Sequence, residues 1–105
     1  VTGVPLTEEP SPSALAALPE PVDLRGRWWA AETAGVPHPD LGTEIGDDAW
    51  RRWGPQLESA GVDRAWLGSV VDGYGRELWL WMAGERTWAH VAEGLAGRVL
   101  RRLPS

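Results

Sequence analysis

The chain has 105 residues, a formal net charge of −5 and no cysteine, which leaves room for one core and excludes a disulfide framework, a thiolate zinc site and a cysteine nucleophile. The acidic balance argues against nucleic acid as a partner, because such binders need a basic face to release counterions. No apolar run approaches the roughly 20 residues that cross a bilayer, and the leader lacks the basic and apolar regions of a signal peptide, so the expectation is a cytoplasmic protein with no membrane partner.

Eight tryptophans stand beside one tyrosine, one methionine and no phenylalanine, so indole rings must supply most of the bulky core. Each buried indole removes about 150–250 Å² from water. At about 25 cal/mol per Å² that is on the order of 4–6 kcal/mol per ring before entropy is counted, and a few such rings can hold a short chain together. Charge is unevenly spread. Residues 1–63 carry eleven carboxylates against four arginines, and residues 64–105 carry four against six, so the two halves attract one another.

Residues 1–22 hold five prolines among Thr, Ser and Glu, a composition that removes backbone donors and disfavours helix. They read as a flexible, Pro-rich acidic tail or linker, with residues 23–105 as a single helical domain. Within the leader, Ser13 to Leu18 form a helical turn or an apolar strap that cannot stand alone. Asp23 is placed to cap a first helix through Trp28 and Trp29 to Ala34, stopped by Gly35; a strand over residues 27–33 is the rival. Residues 36–46, with two prolines, two glycines and no period, read as a loop.

A second helix opens at Gly46 or Asp47 and places Trp50, Trp53, Leu57 and Ala60 on one face. Asp47 with Arg51 and Asp48 with Arg52 are spaced for ion pairs one turn apart. Pro55 kinks or restarts this helix, and Gly61 ends it. Residues 63–84 carry two readings. A hairpin would pair 66–71 with 77–82 around Asp72-Gly73, giving an α+β fold over residues 65–82. Against it, residues 66, 67, 70, 71, 74, 78, 81 and 82 make one apolar helical stripe, and a single helix over 63–83 is the preferred reading. The last helix starts at Glu85 or Thr87 and aligns Trp88, Val91, Ala92, Leu95, Ala96, Val99, Leu100 and Leu103, with arginines in the final turns where the helix dipole favours cations. The fold class is all-α, a small bundle of about four helices around a Trp-rich core.

No chemistry-bearing motif is complete. His38-Pro39-Asp40 spells the tripeptide of J-domain cochaperones, but the basic amphipathic helix that should precede it is missing, and the match is one of spelling. His90 and Glu93 alone cannot fill a metal site that needs three or four ligands, so no metal and no cofactor is expected. No serine sits in a Gly-x-Ser-x-Gly elbow. What remains is tryptophan. Trp79 and Leu80 fall off the core stripe, and adjacent Trp28 and Trp29 cannot both face one core.

Exposed indoles mark partner contacts, so the chain reads as a non-catalytic interaction or accessory module. It would bind a protein partner or itself through Trp79, Leu80 and Trp28, with Arg98, Arg101 and Arg102 as a secondary basic patch. The alternative is a small-molecule binder or minor enzyme holding a small apolar ligand in a Trp-lined pocket, with Glu77, Glu85 or His90 at its mouth. A third reading, suggested by the Val1 start and linker-like leader, is an accessory domain of a larger biosynthetic enzyme.

Overall fold

A computed structural model describes residues 15–104. They form an all-α bundle of five helices: α1 (Val22–Ala34), α2 (Leu41–Ser59), α3 (Arg64–Asp72), α4 (Gly75–Met82) and α5 (Trp88–Arg102). No strand occurs among them. α2 lies along α3, and α5 packs against both α3 and α4. The core is built from Ile45, Trp53, Leu57, Leu67, Val71, Leu78, Trp81, Met82, Trp88, Leu95 and their smaller neighbours.

Capping explains most helix starts. Asp40, Asp63 and Thr87 each accept a bond from the backbone N–H three residues on, at 3.3, 2.9 and 3.2 Å, satisfying donors that the first turn leaves orphaned. Gly35, Gly61 and Gly84 adopt φ of 70°, 87° and 81°, the left-handed conformation in which a side chain would be strained.

The structure corrects several expectations. α2 opens at Leu41, not at residue 46 or 47, because Gly42 and Gly46 are packing positions and not breakers. A Cβ on Gly42 would run into the Asp72 carboxylate, and one on Gly46 would stand 3.0 Å from the Arg64 guanidinium. That guanidinium fastens α3 to α2, donating to Asp47 Oδ1 at 2.6 Å and to the Thr43 carbonyl at 2.9 Å. Asp47 is thereby taken from Arg51, which pairs instead with Asp48. The first helix begins at Val22 with Pro21 in the cap position, so Asp23 sits in the first turn and pairs with Arg27 at 2.9 Å. Pro55 lies inside a continuous α2.

The expected helix over 63–83 is two. The ladder tightens at Tyr74, whose N–H bonds the Val71 carbonyl at 2.9 Å, and it restarts at Gly75, as a stretch rich in glycine permits. The apolar stripe survives the break: Leu67, Val70, Val71, Leu78, Trp81 and Met82 are buried, and Trp66 and Tyr74 are half-buried against the core. This break turns the expected four helices into five.

Residues 15–20, read with the leader, lie on the bundle, while residues 1–14 of that reading fall outside the described residues. Leu15 and Leu18 join the core. The segment meets three indoles: Trp53 Nε1 donates to the Ala16 carbonyl at 2.7 Å, and Trp88 Nε1 to the Leu18 carbonyl at 2.7 Å. Trp81 Nε1 donates to the Glu20 carboxylate at 2.9 Å. Burying an indole without an acceptor for its N–H is costly, and this strap supplies all three acceptors.

Candidate functional site

α1 and α4 bring three other tryptophans together at the surface. Trp28 and Trp29 follow one another on α1, so their side chains diverge by about 100° around the helix, and only one can point toward the interior. Trp28 is half-buried against the core, whereas Trp29 is 39% exposed and Trp79, on α4, is 47% exposed. The rings touch. Trp28 meets Trp29 edge-on at 4.8 Å between centroids, Trp79 lies 5.3 Å from Trp28, and Trp29 and Trp79 are 6.4 Å apart. These are the offset and edge-to-face separations that the ring quadrupoles favour.

Two polar contacts fix the cluster. Trp29 Nε1 donates to the Met82 carbonyl at 2.9 Å, which ties α1 to the end of α4. His38 stacks on Trp28 at 4.2 Å, with its Nε2 2.6 Å from Glu32 Oε1, so the loop after α1 closes over one edge of the indoles. α1 is held to α2 by Arg27, which reaches Glu44 Oε1 at 2.5 Å. The Arg27 hydrogen bond holds the Glu44 carboxyl below its usual range, and the guanidinium itself is pushed up. The hydrogen bond from the Thr43 hydroxyl, and then the cap bond from its backbone N–H, likewise lower the Asp40 carboxyl.

The other candidates lie elsewhere. Leu80 is half-buried on α4. Arg98, Arg101 and Arg102 cluster at the end of α5, and none forms an ion pair among the described residues. Arg98 stands over the Tyr74 ring at 5.9 Å; burial, and then the Glu77 carboxylate, push the Tyr74 phenol up. Glu77 is bound by Arg86 at 3.2 Å. Glu85 and His90 are exposed.

Two of the grooves in the surface border α5. One, of about 580 Å³, runs between the strap and α5 and is lined mainly by Leu15, Ala17, Leu18, Trp88, Ala92 and Ala96. The other, of about 270 Å³, lies between α3 and α5. Glu77, Glu85 and His90 line neither. Sequence reasoning missed the part of Trp29 and His38 in the exposed cluster; adjacency to Trp28 pointed to the first, and nothing in the local pattern pointed to the second.

Among the described residues no three His, Cys, Asp or Glu side chains are grouped to hold a metal ion, and no helix is long and apolar enough to cross a membrane. No protein-family model, curated protein or solved structure matches the chain.

Proposed function

We propose that this domain is a non-catalytic protein-interaction module that docks a partner protein through the face formed by Trp28, Trp29 and Trp79. The observation that carries this reading is the cluster itself: three mutually packed indoles, two of them more than a third exposed. Leaving such rings in water forgoes their burial energy, and tryptophan is the residue most enriched where interfaces concentrate their binding energy. The rings are also preorganised. Contacts among them and the bond from Trp29 to Met82 have already removed much of the rotamer freedom that docking would otherwise cost. His38 and Glu32 supply a polar rim on one side.

The test is site-specific photocrosslinking from position 79 in the native cells, with Glu58, exposed on α2, as the control position. A candidate found at 79 and not at 58 is then purified and titrated against wild type and Trp79→Ala, and light scattering on both proteins tests a second copy of the chain as the partner. At least a tenfold loss of affinity in Trp79→Ala supports the reading. If no binding partner, the chain itself included, is weakened by that substitution, the reading is wrong.

A second reading rests on the groove under the strap, whose lining of Leu15, Leu18, Trp88, Ala92 and Ala96 suits a small apolar ligand. A panel of apolar metabolites that protects the strap amides from hydrogen exchange would favour it over protein docking.

A further inference from the structure

We infer that the groove between α3 and the C-terminal half of α5 binds a small oxyanion, a carboxylate or a phosphate monoester, carried on a flat apolar ring. The groove is lined by Trp66, Ser69, Val70, Gly73, Arg98 and Arg102 and has a volume of about 270 Å³. That lies just under the range of about 300–1,000 Å³ typical of sites for drug-sized molecules, so it selects a small ligand. Its lining has two characters. Trp66 and Val70 offer an apolar wall, while two guanidinium groups supply positive charge, and among the described residues no carboxylate lines the groove.

Arg98 carries the argument further. Its Nε is buried and has no hydrogen-bond acceptor among the described residues. That nitrogen is shut off from solvent, so an anion in the groove meets Arg98 at the two terminal nitrogens of its guanidinium. The guanidinium fork pairs with carboxylate or phosphate through two parallel bonds. Its position is set from below by the Tyr74 ring, 5.9 Å from Cζ, and at its edge by Gly73, where a Cβ would stand only 3.2 Å from Nη2. The one carboxylate that acts on the same tyrosine, Glu77, is already engaged by Arg86. Arg102 closes the groove one turn on. This site shares no residue with the Trp79 face, so the two stand or fall separately.

The experiment is an NMR titration of uniformly ¹⁵N-labelled protein with phenyl phosphate, benzoate and inorganic phosphate at constant ionic strength, observing the Arg98 Nε–H and Trp66 indole N–H signals. Saturable shifts are expected with an aryl anion, at least tenfold tighter than with inorganic phosphate. The tighter of phenyl phosphate and benzoate assigns the acid group. Arg98→Gln and Arg102→Gln each weaken binding at least tenfold, and Arg98→Lys, which keeps the charge but not the fork, recovers only part of the loss. Unchanged dispersion of the remaining indole signals shows that each variant is folded. Shifts that fail to saturate, that inorganic phosphate reproduces at equal concentration, or that persist in Arg98→Gln and Arg102→Gln would overturn the inference.

Discussion

Two sets of three tryptophans sit in this small bundle and meet opposite fates. Trp53, Trp81 and Trp88 are buried, and each N–H has an acceptor on residues 16–20. Trp28, Trp29 and Trp79 cluster at the surface, where, among the described residues, only Trp29 bonds its N–H to the protein. The same side chain is structural in one set and available in the other. What separates them is whether one segment brings both an acceptor to the indole nitrogen and a cover for the ring. The strap does both for the first set; among the described residues, the second has a rim but no lid.

This contrast predicts a ranked series of effects. Trp81→Ala removes a ring with no exposed surface and should cost about 3–5 kcal/mol, measured by urea unfolding; a cost below about 1 kcal/mol would erase the distinction between the sets. Trp88→Phe keeps an aromatic body but leaves the Leu18 carbonyl without its donor. It should cost about 1–3 kcal/mol and speed hydrogen exchange in the strap. Trp79→Ala should change stability by less than about 1 kcal/mol, as substitutions of exposed side chains usually do, while abolishing partner capture.

The smallest effect should come from acid. Asp40 and Glu44 have native carboxyls held below their ordinary values of 3.8 and 4.5, so the unfolded chain binds protons more readily than the native one. Their contribution is present above about pH 4.5 and is lost as pH falls through the lowered native values. Because both sit where α1 and its loop join α2, acidification should loosen the exposed trio before the strapped one, seen as earlier broadening of the Trp29 indole signal. Glu44→Gln should flatten that response.

Legibility followed the range of the interactions involved. α5 could be read directly, because fifteen residues keep one period and Thr87 caps them; the stripe across residues 66–82 also favoured helix over the hairpin and left Trp79 outside the core. The start of α2 was hidden because Gly42 and Gly46 look like breakers until Asp72 and Arg64 are seen against them. The strap was visible only in outline: Ser13 to Leu18 could be read as a helical turn or a docked apolar strap, but what the segment serves could not be read. Its composition resembles a linker, and its acceptors serve indoles 37, 61 and 70 residues away, beyond the reach of any local pattern. The exposed cluster was half visible: Trp28 and Trp79 stood out as surplus to the core, but the stacking of His38 on Trp28 depends on how the loop after α1 folds back.

The strap also sets an order of events during synthesis. Residues 15–20 leave the ribosome before every indole they serve, and two of the three, Trp81 and Trp88, follow 61 and 70 residues after their acceptors. Ordering a segment against partners so distant carries a loop-closure cost that only the finished bundle can offset. The nascent protein must therefore carry Leu15 and Leu18 uncovered until translation has passed residue 88, a window in which a chaperone would find them open.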